Sequence, residues 1–228
     1  MSNHLIVFSP HHDDAYWQAG GVSLYLKAAG WKVTFITVIG DHYQWGGGTE
    51  RYREKAEEAA RRFGVDHVLC DFKSMEVQGP DRRMAEQFTE LIRDLKPTLA
   101  ITEYPEAVHP DHQGTAINSL RALTKDWYGV PRELPAEVWC YQGYKRYDNP
   151  DFSVDVSPWR EEIREALWYF DEFGEGEANG LWQNRLGCGM TERFFVAKGN
   201  SEKFTRAPEL FPGKVFFTET RFTGDIIF

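Results

Sequence analysis

Short apolar, β-branched runs alternate with stretches of helical apolar spacing along most of this chain. That alternation restricts it to a parallel sheet covered by helices. The runs fall at residues 5–9, 32–39, 67–72, 98–103 and 138–143, and the helical spacing at 15–29, 50–63, 82–95, 111–125 and 158–173. Leu5-Ile6-Val7-Phe8 is apolar throughout, as a strand buried on both faces must be. The expected architecture is α/β, a Rossmann-like and mostly parallel sheet with helices on both faces. A single domain over residues 1–228 is expected, because no repeat, low-complexity tract or linker divides the chain; an irregular, turn-rich C-terminal extension begins at Gly174.

Two of the runs end in histidine–aspartate clusters. Ser9-Pro10-His11-His12-Asp13-Asp14 follows the first, and His109-Pro110-Asp111-His112 follows the fourth; together they hold four of the seven histidines. In open α/β sheets ligands bind beyond the carboxyl ends of the strands, where strand order reverses. With the order 3-2-1-4, strands one and four flank that point and the clusters meet. The loop after the second run, with His42, Tyr43, Trp45 and three glycines at 46–48, opens on the same edge. Tyr43 and Trp45 have no core to join there and are candidate substrate contacts.

Imidazole and carboxylate in this mixture suit one divalent metal with an open coordination position. Such an ion lowers the pKa of water from about 16 to about 7. A carboxylate outside the ligand set is then needed to take the proton, and a spare histidine can stabilise a developing oxyanion, worth on the order of 3 kcal/mol. Two other readings use the same residues: a metal-dependent esterase or phosphoesterase, and a non-catalytic zinc- or sugar-binding module. Two histidines with an aspartate also suit non-haem iron, though usually on a β-rich scaffold.

The bulk numbers exclude several classes. A net charge of −9 argues against a nucleic-acid or anionic-membrane partner. Cys70, Cys140 and Cys188 are odd in number and far apart, so a disulfide framework is not expected. The chain shows neither a signal-peptide pattern nor an apolar run long enough to insert into a membrane, and a cytoplasmic location is expected. His4 and His67 stand alone and are expected at the surface.

The two clusters, in this order and context, resemble the PIG-L/LmbE family of zinc-dependent N-deacetylases. The similarity extends through Gly20-Gly21, Phe63-Gly64-Val65 and Val154-Asp155-Val156-Ser157. It implies one zinc per chain held by His11, Asp14 and His112. It makes Asp13 the general base that later protonates the leaving amine. His109, as imidazolium, would stabilise the oxyanion, with Asp111 orienting it. Arg51 of Arg51-x-x-Glu54 would contact substrate hydroxyls, with Arg53 as the alternative. The substrate class implied is a small N-acetylated, sugar-like molecule losing an acetyl or short acyl group; a homo-oligomer is allowed, because members commonly assemble. His12 stands where the family carries proline. It is expected beside the metal shell or in solvent, and a ligand exchange with His11 is the alternative.

Overall fold

The computed structural model describes residues 3–41, 48–125, 135–141, 150–169, 190–198 and 205–217. The elements run β1 (His4–Ser9), α1 (Asp14–Ala28), β2 (Lys32–Asp41), α2 (Gly48–Phe63), β3 (Asp66–Lys73), α3 (Arg82–Leu95), β4 (Leu99–Glu103), α4 (Pro110–Thr124) and β5 (Glu137–Tyr141). Then follow β6 (Phe152–Asp155), a short 3₁₀ turn, α5 (Arg160–Tyr169), β7 (Thr191–Lys198), α6 (Ala207–Leu210) and β8 (Val215–Phe217). One eight-stranded sheet takes the order β3-β2-β1-β4-β5-β7-β6-β8. The strands β1 to β5 pair in parallel, while β7, β6 and β8 join antiparallel.

The period of two along each strand sorts side chains to two faces. Leu5, Val7, Val33, Phe35, Leu99 and Ile101 pack with α1, α2 and α5. Ile6, Phe8, Ile36, Val38 and Ala100 pack with α3 and α4 on the opposite face. Every residue of β1 and β4 is buried, which explains the apolar runs over residues 5–8 and 99–101; the polar His4, Ser9, Thr102 and Glu103 at the strand ends are buried with them. α3 shows how the local signals agree. Asp81 caps it by accepting the Met84 N–H at 2.8 Å, and Met84, Phe88 and Ile92 form its buried stripe. None of the helices among the described residues is long and apolar enough to cross a membrane.

Close approach requires glycine at several described positions, among them one in α1 and one in β2. A Cβ on Gly21 of α1 would lie 2.4 Å from Val156 Cβ, and one on Gly40 of β2 would lie 1.9 Å from the Cys70 carbonyl oxygen.

Two expectations need correction. His4 is buried, not at the surface: it opens a central strand, and its ring bonds to the Leu95 carbonyl at 2.8 Å and to Thr34 Oγ1 at 2.9 Å. His67 is half-buried on β3, sharing a 3.0 Å hydrogen bond with Thr37 Oγ1 of β2. Where the sequence offers only a turn-rich extension, the structure also draws β7 and β8 into the sheet.

Candidate metal centre

Both cluster loops leave the sheet at its carboxyl edge, and the parallel pairing of Val7 with Ile101 sets β1 beside β4. Ser9 turns the first loop: its hydroxyl donates to the His11 carbonyl and accepts the Ala15 N–H at 2.9 Å. α1 starts at once, placing Asp13 at the N-cap and Asp14 in the first turn. The second loop has the same plan. His109 caps α4, Pro110 sits where a missing N–H costs nothing, and Asp111 and His112 follow in the first turn.

Asp14 is the hub. Its Oδ2 accepts the His11 backbone N–H at 2.9 Å and lies 3.4 Å from His11 Nδ1 and 3.6 Å from His112 Nε2. Ligands bound about 2.0–2.1 Å from a tetrahedral zinc stand about 3.3 Å apart. The two separations are close to that spacing, so the donor set fits a divalent ion. Behind each imidazole stands a carboxylate, Asp111 at 3.0 Å from His11 Nε2 and Glu103 at 3.0 Å from His112 Nδ1. His109 brings a third ring, 5.5 Å from both His11 and His112 between centroids. One nitrogen from each of the three histidines can be chosen so that all lie within 4.8 Å of one another.

These contacts set the charges. Burial alone would lower the His11 pKa, but the Asp111 and Asp14 carboxylates outweigh it and hold it up at about 10. His112 is likewise raised against its burial by Asp14 and Glu103. Burial would raise Asp14, but the two histidines bring it down to about 2. Asp13 goes the other way: burial and the neighbouring Asp14 charge push it up to about 6. Its side chain makes no capping bond to α1.

The remaining expected residues scatter. His12 is buried, not in solvent: its ring packs edge-on to Tyr52, 4.3 Å between centroids. Its N–H donates to the Tyr52 hydroxyl at 3.0 Å, a bond proline cannot make. Asp111 Oδ2 is 3.0 Å from His11 but 3.9 Å from His109 Nδ1, so it serves His11 more closely than the ring it was expected to orient. His109 Nδ1 accepts the Asp111 N–H at 3.3 Å, and its pKa is lowered by burial and by His11. That bond favours the neutral ring with its proton on Nε2 over the expected imidazolium. Arg51 is exposed on α2, whereas Arg53 Nε donates to the Gly40 carbonyl at 2.8 Å. Tyr43 and Trp45 lie outside the described residues.

Sequence reasoning missed three contributors. Glu103 ends β4. Ser74 and Met75, beyond β3, grip Asp111: the hydroxyl donates to Oδ2 at 2.7 Å and the Met75 N–H to Oδ1 at 2.5 Å. Met75 holds φ +66°, a left-handed conformation that a non-glycine residue adopts at some cost. The one available signal was Glu103 itself, a carboxylate closing an otherwise apolar strand on the edge where ligands bind.

The family profile described as PIG-L, GlcNAc-PI de-N-acetylase, matches residues 6–123, just over half of the chain and both cluster loops. The chain belongs to the PIG-L family. The PIG-L match runs from β1 into the last turn of α4, so β5 and the antiparallel strands lie beyond it. A Bacillus cereus protein named probable N-acetyl-alpha-D-glucosaminyl L-malate deacetylase 2 is 28% identical over 149 residues, 58% of this chain and 64% of its own length. The match thus spans just under two thirds of that relative. N,N'-diacetylchitobiose deacetylase from Pyrococcus horikoshii superposes with a TM-score of 0.69 at 18% identity, covering 92% of this chain and 89% of its own. GalB, the 4-carboxy-2-hydroxymuconate hydratase from Pseudomonas putida, also reaches 0.69, at 15% identity over 88% of this chain and 98% of its own. These two likenesses establish the fold alone.

Proposed function

We propose that this PIG-L protein is a zinc-dependent N-deacetylase that removes an acetyl or short acyl group from the amide nitrogen of a small amino-sugar-like substrate. The observation that carries the proposal is Asp13. It is a carboxylate at the N-cap of α1, directly beside the Asp14 hub, whose side chain makes no capping bond. A deacetylase needs such a free base next to its metal. His11, Asp14 and His112 would hold a divalent ion, which when bound would supply Lewis acidity to the water and to the amide carbonyl.

The chain's own groups do the rest. Asp13 takes the proton of the attacking water and returns it to the departing amine nitrogen. His109, with Nδ1 occupied by the Asp111 N–H, presents Nε2–H as the donor to the developing oxyanion. Asp111, gripped by Ser74 and Met75, keeps the His11 ring from turning. The sugar-like substrate class rests on the names of the relatives. Arg51, Tyr43 and Trp45 are proposed as its contacts, within the cytoplasm.

The test pairs metal analysis with released acetate from a panel of N-acetylated amino sugars. Wild-type protein should carry about one zinc per chain. Asp13→Asn should keep the zinc while losing roughly 10²–10⁴ in rate. Protein without a divalent metal, or an Asp13→Asn variant of full activity, would sink the proposal. Hydrolysis of acetate esters with the amides untouched would favour an esterase instead.

A further inference from the structure

We propose that Glu103 is a positioning residue of the metal centre, fixing His112 so that Nε2 faces the ion. The inference rests on His112 being a ligand, as proposed above. Glu103 is the last residue of β4 and only 1% exposed; the four residues before it, Leu99-Ala100-Ile101-Thr102, are buried as well. Burying a carboxylate at the end of a central strand is costly unless it is paired. Tyr141 shares a side-chain hydrogen bond with it, and its charged partner is His112, nine residues on and 2% exposed, whose Nδ1 lies 3.0 Å from Glu103 Oε2.

The opposite nitrogen of the same ring, Nε2, lies 3.6 Å from Asp14 Oδ2. The imidazole is therefore threaded between two carboxylates, one on the hub and one behind. Donation of Nδ1–H to Glu103 leaves Nε2 with its lone pair toward Asp14, the only tautomer in which it can bind a cation there. His11 receives the same treatment from Asp111, but Asp111 belongs to the histidine–aspartate cluster and Glu103 to no motif. Two elements thus aim one side chain: α4 carries the ring, and β4 holds its tautomer and tilt. Loss of such an outer carboxylate typically weakens metal binding 10–100-fold.

Zinc affinity measured by competition with a chromophoric chelator tests this. Glu103→Gln keeps the volume but not the charge, and Glu86→Gln on the exposed side of α3 is the control. Glu103→Gln should bind zinc 10–100-fold more weakly and alter the visible absorption of the cobalt-loaded protein, whereas Glu86→Gln should match wild type. Equal zinc affinity in wild type and folded Glu103→Gln overturns the proposal while leaving the metal centre intact. Wild-type protein that takes up no zinc overturns both. If Glu103→Gln fails to fold, the wild type answers directly through ¹⁵N shifts of its imidazoles, with His112 assigned by its loss in His112→Gln. In the zinc-loaded protein, protonated Nδ1 with metal-bound Nε2 is expected for His112, and the reverse overturns the proposal.

Discussion

His11 shows what a single side chain contributes when both of its nitrogens face carboxylates, Asp14 at 3.4 Å and Asp111 at 3.0 Å. With its pKa held at about 10, the metal-free ring carries a proton across the physiological range. If His11 is a zinc ligand, as proposed, its ring must be neutral in the complex, so binding displaces that proton. Apparent zinc affinity should therefore rise about tenfold per pH unit from pH 6.5 toward 10, and more steeply where His112 also loses a proton. Chelator competition over a pH series measures the slope; affinity flat between pH 6.5 and 9 would contradict it. The sign for the metal-free fold is opposite. The folded pKa lies above the unfolded value near 6.5, so this stabilisation is full below pH 6.5 and is lost as pH rises toward 10. At this scale the sequence reveals the residues that sit together in a motif, His11, Asp13, Asp14, Asp111 and His112. It hides Ser74 and Met75, because what they do is defined by contacts across the fold and not by spacing along the chain, and it signals Glu103 only as a carboxylate closing a strand, without its partner.

Among the elements, α1 bears the most constraint, since its first turn carries Asp13 and Asp14 while its middle is pressed against the rest of the molecule. The Gly21 N–H and Val22 N–H donate to the buried Glu192 carboxylate of β7 at 2.7 and 2.8 Å, and Val156 occupies the space a Gly21 side chain would need. Gly21→Ala must push α1 away from that contact. The overpacking should cost about 1–3 kcal/mol in urea unfolding, and the shift should reach Asp14 and weaken zinc binding. Unchanged stability would mean that Val156 yields freely. Helices and parallel strands were legible because apolar periodicity marks them over many residues. The antiparallel strands were not. β6 has four residues and β8 three, too few to establish a period. In β7 the inward positions 192, 194 and 196 begin with a glutamate, which breaks the apolar alternation.

The whole molecule ties its sheet together with polar pairs as well as apolar rows, and these contribute to its response to acid. β2 offers Thr34 and Thr37 to its neighbours, and each meets a histidine: His4 of β1 at 2.9 Å and His67 of β3 at 3.0 Å. Burial lowers both histidines, His67 to about 4. An unfolded histidine takes its proton near pH 6.5, so the unfolded state binds more protons between about 4 and 6.5. The stability owed to neutral His67 is thus complete above pH 6.5 and lost as pH falls toward 4. The full shift corresponds to about 3 kcal/mol, and partial exposure of the ring reduces the measurable part to about 1–2 kcal/mol. Urea unfolding of metal-free wild type and His67→Gln at pH 7.0 and pH 4.5 isolates the contribution, because the cluster residues titrate in both proteins and cancel. The wild type should lose about 1–2 kcal/mol more than the variant on acidification. Equal losses would mean that the β2–β3 edge accommodates the charged ring, and that acid opens the sheet elsewhere, with His4 between β1, β2 and the end of α3 as the next position to test.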